Sequence, residues 1–317
     1  MRDAKAPFDL QGHRGARGLR PENTLAGFAH ALSLGVSTLE LDTVVTSDGV
    51  VVVSHDVALN PDHTRDASGQ WIEEAGPTIY SMTFAELQRF DVGRLRPGTR
   101  YATRFRDQVA VDGERIPRLV DVFDLVKKSG DTEVRFNIET KIDPRKPDTT
   151  PAAEAFAEAL VREIQLASME PRAMVQSFDW RTLKVAQRIA PEIETVCLTT
   201  ERGEDDNIGF GRPRPSPWLG GLDANDFGGS TPNLVKAAGA SVWSPDYNDL
   251  TPARVAEAHA VDLRVIPWTA NDRVDMERLI DEGVDGLITD RPDVLLRALQ
   301  DKGRAWTEHR SPIIAPQ

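Results

Sequence analysis

The chain has 317 residues, 40% of them hydrophobic and 28% charged, which excludes wholesale disorder and a fibrous repeat. Fifty Asp and Glu against 38 Lys and Arg give a net charge of -12, a field that repels nucleic acid and anionic lipid surfaces. No run of about 18 apolar residues exists to cross a membrane, so no integral membrane association is expected. At about 150 residues per domain the length allows two domains, but an α/β barrel fills about 250 residues as one.

Short apolar strands alternate with amphipathic helices along the chain, the signature of βαβ units and a parallel sheet. The first strand is predicted over 8–13 and the first helix over 23–34, where Leu25, Phe28, Ala29 and Leu32 share a stripe ahead of a Gly35 stop. The second strand is predicted over 38–45, followed by an Asp48-Gly49 turn into a valine-rich strand over 50–54. A long excursion over 57–118, with a helical piece at 83–90, precedes the second helix at 119–128. Strand–helix pairs then follow at 133–140 and 152–167, at 173–177 and 180–189, and at 195–199 and 232–238. A Gly- and Pro-rich excursion over 200–230 interrupts the third of these pairs. The last strands are predicted over 241–244, 264–268 and 286–289. Their helices run over 252–260, with Thr251 as N-cap and Pro252 at its first turn, around Met276–Ile280, and over 292–299.

Eight strands each followed by a helix imply a (β/α)8 TIM-type barrel over 8–301, with 57–118 as a small inserted subdomain and 302–317 as a loosely packed tail. The main competitor, an open doubly wound sheet, would carry a Gly-rich loop after the first strand, where this chain has His13-Arg14-Gly15. Both excursions follow strands and so are expected at the C-terminal face, as lids or subdomains beside a site. The single cysteine, Cys197, excludes an internal disulfide and a Cys-based zinc site and reads as a core residue. The first residues lack the apolar stretch of a secretory signal. The compartment stays open: periplasmic or secreted if a signal is removed ahead of Met1, otherwise cytoplasmic.

Chemistry concentrates at the predicted strand ends. In Leu39-Glu40-Leu41-Asp42 the period of two turns both leucines to the helix layer and both carboxylates into the barrel mouth. The same parity in Asn137-Ile138-Glu139-Thr140-Lys141 adds Glu139 as a third carboxylate and Lys141 as a fixed positive charge. Carboxylates gathered away from water repel one another and need a cation, and oxygen ligands suit Mg2+, Ca2+ or Mn2+. His13 and His55 are candidates for a general acid–base pair, the alternatives being a hydrogen-bonded structural role or a fourth metal ligand. Arg14 is placed to bind a phosphate bidentately. Phe178, Trp268, Trp243 and Phe227 are candidates for an apolar wall. His30 and His259 read as surface or boundary residues, while His63 in the excursion and His309 in the tail lie away from strand ends.

The ordered set His13-Arg14-Gly15, Pro21-Glu22-Asn23-Thr24, Glu40-Leu41-Asp42, Asp48-Gly49, His55-Asp56 and Glu139-Thr140-Lys141 resembles the glycerophosphodiester phosphodiesterase family. Gln176-Ser177-Phe178, Trp268-Thr269-Ala270-Asn271 and the run Asp285 to Pro292 extend the resemblance over about 12–296. It implies a TIM-type barrel with one divalent cation, Mg2+ or Ca2+ with Mn2+ as a further option, held by Glu40, Asp42 and Glu139. It also implies His13 and His55 as acid and base, Arg14 and Lys141 as phosphate contacts, and Gln176, Phe178 and Trp268 at the substrate. The implied reaction is hydrolysis of a small-molecule phosphodiester to glycerol 3-phosphate and an alcohol, with a five-membered cyclic phosphate as one route. Other readings are a phosphodiesterase or phosphotriesterase for a different, organophosphate-like ester, a lyase that stops at the cyclic phosphate, and a non-catalytic module that binds a phosphorylated ligand.

Overall fold

The computed structural model describes residues 7–307. Its strands are β1 (Asp9–Gly12), β2 (Thr38–Val45), β3 (Val51–Val53), β4 (Arg135–Thr140), β5 (Ala173–Ser177), β6 (Glu194–Thr199), β7 (Val242–Pro245), β8 (Arg264–Val265) and β9 (Gly286–Thr289). Its helices are α1 (Leu25–Ser33), α2 (Phe84–Leu87), α3 (Arg100–Arg104), α4 (Leu119–Ser129), α5 (Ala153–Leu166), α6 (Trp180–Ile189), α7 (Thr231–Ala237), α8 (Pro252–Ala260), α9 (Arg273–Asp281) and α10 (Pro292–Asp301). Eight parallel strands pair in the order β8-β7-β6-β5-β4-β2-β1-β9. The N–H groups of Asp285 and Ile288 donate to the carbonyls of Val265 and Pro267, which joins β9 back to the β8 segment. The chain therefore forms a (β/α)8 barrel.

Side-chain parity divides this barrel into layers. Outward residues such as Leu39, Leu41, Phe136, Ile138 and Trp243 join the main core under the helices. Inward residues Met174, Val196, Val242, Ile266 and Ile288 form a separate apolar plug on one side of the barrel interior. The other side is polar: Asn137 Nδ2 donates to Gln11 Oε1 (2.9 Å) and Gln176 Oε1 (3.1 Å), and Gln176 Nε2 donates to Glu40 Oε1 (2.7 Å). Each of these amides is bonded to a neighbour, although among the described residues Asn137 Oδ1 is buried without a partner.

Four sequence expectations are modified. The 50–54 strand is β3, which pairs antiparallel with β2 and lies outside the barrel circle. It returns the chain toward the site, where Ser54 N–H donates to the Asp42 carbonyl. β8 stops after two residues rather than five, because Pro267 has no N–H to give the ladder. The 57–118 insertion builds its own small cluster from Leu59, Ile79, Met82, Leu87, Val92 and Ile116 against Val44 and Val52. It also contains α3, which carries no apolar stripe and was not predicted. Of the tail, 302–307 is held rather than loose: Phe8 N–H donates to the Ala305 carbonyl and Phe8 bridges Trp306. Residues 308–317, with His309, lie outside the described residues.

Helix ends follow local chemistry. Thr24 accepts from Gly27 N–H at the start of α1, Thr83 and Glu86 form a reciprocal cap on α2, and Thr251 caps α8. Phe136 of β4 meets Phe123 of α4 edge to face, with centroids 4.9 Å apart and both rings fully buried. Phe136→Ala should cost about 3–5 kcal/mol in urea unfolding, whereas Val274→Ala, at a site 79% exposed, should stay within about 0.5 kcal/mol. Similar losses for the two would contradict the layer assignment.

Candidate active site

Register brings the acids together. In the β2–β4 pairing Asp42 stands opposite Glu139 and Glu40 opposite Asn137, so three inward carboxylates occupy neighbouring strand ends. One oxygen from each of Glu40, Asp42 and Glu139 lies within 4.8 Å of the others, and all three residues are buried. Burial and the Asp42 charge push the Glu40 carboxyl well above the usual carboxylate range. Burial likewise pushes Glu139 up to about 7, with the Lys141 ammonium pulling down and the Asp42 charge pushing up. Burial opposes ionisation of Asp42 too, but Arg14, His55 and Lys141 hold it well below its ordinary value. Asp42 Oδ1 is buried and has no hydrogen-bond partner among the described residues. Three converging carboxylates with an unused lone pair fit a hard cation and give a thiophilic metal no soft ligand.

The His13-Arg14-Gly15 turn is a backbone device. Arg14 and Gly15 take left-handed φ values of 51° and 87°, and a Cβ on Gly15 would lie 2.8 Å from the Gly27 carbonyl carbon, so only glycine fits. The turn aims the Arg14 N–H at Glu40 Oε2, 2.7 Å away. The Arg14 guanidinium donates to Glu22 Oε1 (2.6 Å), and its Nε lies 3.2 Å from Asp42 Oδ2. Asn23, also left-handed at 54°, donates to Asp42 Oδ2 (2.9 Å). Lys141 Nζ donates to Glu139 Oε1 (2.8 Å) and lies 3.7 Å from Asp42 Oδ1.

Each imidazole is anchored by a carboxylate. His13 Nδ1 lies 2.7 Å from Asp290 Oδ1, and His55 Nδ1 lies 2.9 Å from Asp56 Oδ1. A carboxylate only accepts, so each Nδ1 carries the proton and each Nε2 keeps a lone pair. His13 Nε2 stands 3.9 Å from Glu40 Oε2. Burial, then the Arg17 charge, pulls His13 down to about 4; burial, then the charges of Arg14 and Lys141, does the same to His55. Both rings are therefore neutral at physiological pH.

His13, Arg14, Glu40, Asp42, His55, Glu139, Lys141, Gln176, Phe178 and Trp268 all line one cavity of about 210 Å³. Phe178 and Trp268 meet edge to face in its wall, with centroids 5.4 Å apart. Two candidates for that wall are elsewhere. Trp243 is an outward β7 residue, fully buried, whose Nε1 donates to Thr199 Oγ1. Phe227 packs against the main core at the end of a short 3-10 turn. The 200–230 excursion contributes no lining residue to this cavity; Ile208, Leu219 and Ala224 bury it against the barrel flank instead. His30 is partly exposed on α1, and His259 Nε2 lies 2.9 Å from Asp285 Oδ2.

Sequence reasoning missed the residues that hold these groups in place. Asp290 accepts from Arg17 Nε (2.7 Å), Arg17 Nη2 (3.0 Å) and Asn271 Nδ2 (2.7 Å) in addition to His13. Glu22 accepts from the Tyr101 hydroxyl of α3 as well as from Arg14, and the charges of Arg14, Arg17 and His63 hold it down at about 2 against the effect of burial. Asp56 accepts from Asn60, and His63 Nε2 approaches it to 3.8 Å. Burial pulls His63 down, but Asp56 and Glu22 outweigh it and leave the ring more basic than usual. The available signal was adjacency: Glu22, Asn23, Asp56 and Asp290 sit inside motifs already singled out.

Acids, imidazoles and cations gathered at the C-terminal strand ends of a parallel eight-stranded barrel define a TIM-barrel enzyme. The chain belongs to the glycerophosphoryl diester phosphodiesterase family, whose model matches residues 13–294. It is 28% identical over 291 residues to a glycerophosphodiester phosphodiesterase of Caldanaerobacter subterraneus, covering 92% of this chain and 97% of that one. It is 28% identical over 290 residues to one of Bacillus subtilis, covering 89% and 83%. A solved structure from Silicibacter pomeroyi, provisionally described as a glycerophosphoryl diester phosphodiesterase, superposes with a TM-score of 0.84 at 38% identity over 95% and 96% of the two chains. A phosphodiesterase of Oleispira antarctica, solved in complex with its product sn-glycerol-3-phosphate, shares the fold with a TM-score of 0.65 at 21% identity over 92% and 96%. The named relatives are phosphoric diester hydrolases, and so is the family to which this chain belongs.

Asp290→Ala strands the buried Arg17 guanidinium without its carboxylate, which should cost about 3–5 kcal/mol in chemical denaturation. A cost below about 1 kcal/mol would show that the Arg17–Asp290 pair does not hold this corner together.

Proposed function

We propose that this chain hydrolyses glycerophosphodiesters to glycerol 3-phosphate and an alcohol, with one divalent cation and with His13 and His55 as the acid–base pair. The observation that carries this reading is the cluster of three buried carboxylates within 4.8 Å of one another, in a cavity also lined by two imidazoles, Arg14 and Lys141. The names of the relatives support the substrate class, and the Oleispira antarctica barrel has been captured with glycerol 3-phosphate.

Glu40, Asp42 and Glu139 would hold the cation, Mg2+ or Ca2+ with Mn2+ as a further candidate. That ion supplies Lewis-acid polarisation of the phosphate and a template for the adjacent hydroxyl. Arg14 and Lys141 hold the ester phosphate, each pre-positioned by the carboxylates it already bonds. Phe178 and Trp268 cover the carbon backbone. One imidazole takes the proton of the glycerol 2-hydroxyl through Nε2. The freed oxygen bonds to phosphorus, the P–O bond to the alcohol breaks, and the other imidazole, protonated, gives its proton to the leaving oxygen. The product is a five-membered cyclic phosphate. Water opens it with the two histidines in exchanged roles, which restores both rings and releases glycerol 3-phosphate. The neutral rings suit this exchange, because the negative charge of an entering ester favours a proton on one of them.

The test is turnover of glycerophosphocholine, glycerophosphoethanolamine and a chromogenic phosphodiester after chelation, with Mg2+, Ca2+ and Mn2+ added back singly. Glycerol 3-phosphate should form only with a cation restored, and undiminished turnover in chelator would refute the metal-assisted route. His13→Ala and His55→Ala should each lose about 10²–10⁴-fold in kcat while still binding the cation. A cyclic phosphate that persists in phosphorus NMR would make the enzyme a lyase.

The carboxylate cluster also predicts a pH-dependent response to metal. Without the ion, Glu139 titrates near about 7 in the folded chain against an ordinary 4.5. A raised carboxyl stabilises the fold fully below its ordinary value, and that contribution is lost as pH climbs through the folded value, on the order of 3 kcal/mol. A bound cation removes the penalty, so the rise in unfolding midpoint on adding metal should be larger at pH 8 than at pH 5. Equal rises at the two pH values would count against the ligand assignment.

A further inference from the structure

The positive charges around the catalytic cavity are nearly all committed. Arg14 is bonded to Glu22, Arg17 to Asp290 and Lys141 to Glu139. Arg104, the last residue of α3 in the insertion, is the exception. Its side chain lines the cavity, is exposed, and among the described residues has no carboxylate partner. Its guanidinium is nevertheless oriented. It lies 5.4 Å from the centroid of the Phe105 ring, which is 6% exposed and is also contacted at 4.6 Å by the Arg17 guanidinium. A guanidinium held over an aromatic ring keeps its N–H fork free while giving up less freedom on binding.

Arg104 also lines a second space, a groove of about 430 Å³ between the insertion and the loops after β8 and β9. Gly18, Arg106, Asn271, Asp272 and Arg291 form much of its wall. Arg291 is bonded to Asp107 at 2.8 Å, which leaves Arg104 and Arg106 as the groove cations free of a carboxylate among the described residues. The catalytic cavity and the groove therefore meet at an unneutralised arginine. On the reading above, the glycerol and phosphate of a diester would occupy the cavity, and the variable alcohol would be the part that projects.

Resting on the reading above, we propose that Arg104 is a specificity residue that binds an anionic group on the departing alcohol, so that the enzyme favours glycerophosphodiesters whose alcohol carries a carboxylate or a further phosphate. Asp272 on the same groove accommodates an ammonium on that alcohol, so a zwitterionic amino-acid alcohol such as serine also fits.

Glycerophosphoserine and glycerophosphoethanolamine differ by one carboxylate and provide the test. With the full chain and saturating cation, kcat/KM should favour the serine ester by about fivefold at low ionic strength, a preference that shrinks as salt is raised. Arg104→Ala should remove the preference, Arg104→Lys should keep part of it, and Arg104→Glu should reverse it. Arg104 is a surface residue, so all three variants should melt with the native chain, and a variant that does not is replaced in the comparison by the salt titration of the native enzyme. If the native enzyme cleaves both esters but the ratio does not change in Arg104→Ala or with salt, the inference is overturned while the hydrolase reading stands. If it cleaves neither with any cation, the hydrolase reading fails and the inference fails with it.

Discussion

Mutual repulsion among Glu40, Asp42 and Glu139 is the constraint around which this barrel mouth is organised. Three carboxylates lie within 4.8 Å in a place shielded from water, a combination that no fold tolerates without compensation. Part of the compensation is built from the chain. The Arg14 N–H and Gln176 amide hold Glu40, the Arg14 guanidinium and Asn23 hold Asp42, and Lys141 holds Glu139. What remains, an unpartnered Asp42 oxygen and a Glu139 displaced toward neutrality, is the residual demand that a divalent cation would meet. The cost of gathering these acids and the attraction they would offer a cation have the same electrostatic origin.

The imidazoles are ordered by a second set of charges that does not touch the cation cluster. Asp290 fixes His13 and binds Arg17, and Asp56 fixes His55 and is held by Asn60. Each carboxylate sets which nitrogen bears the proton and which keeps a free lone pair. The anchors come from opposite directions. Asp290 directly follows the last barrel strand, while His55, Asp56, Asn60 and His63 lead into the insertion. The insertion also sends Tyr101 to Glu22 and Arg104 to the cavity rim. It thereby contributes to the anchoring of His55, to the support of Arg14 and to the lining of the cavity, whereas the shorter loop at 200–230 packs against the barrel flank.

Much of this was legible in the sequence, and the reason differs by feature. Strand parity decides facing without reference to anything distant, so Leu39-Glu40-Leu41-Asp42 and Asn137 to Lys141 declared which acids point inward. The helix cap at Thr251 is equally local. Features that depend on a partner far along the chain were not legible. Trp243 looks like any aromatic at a strand end, and only the position of the helix layer decides that it faces outward. Arg17, Glu22 and Asp290 read as ordinary charges until the turn at Gly15 and the closure of β9 beside β1 bring them together.

By itself the sequence determined the alternation of elements, the face each strand residue takes and the identity of the acids and histidines, because these follow from backbone periodicity and residue chemistry within a few positions. Only the tertiary structure decided the spacing of the carboxylates, the tautomer of each imidazole, the burial that shifts their protonation and the place of Arg104 on the cavity lining. Those properties belong to distances between strands, and inter-strand distance is set by barrel closure and packing, which no local stretch of chain encodes.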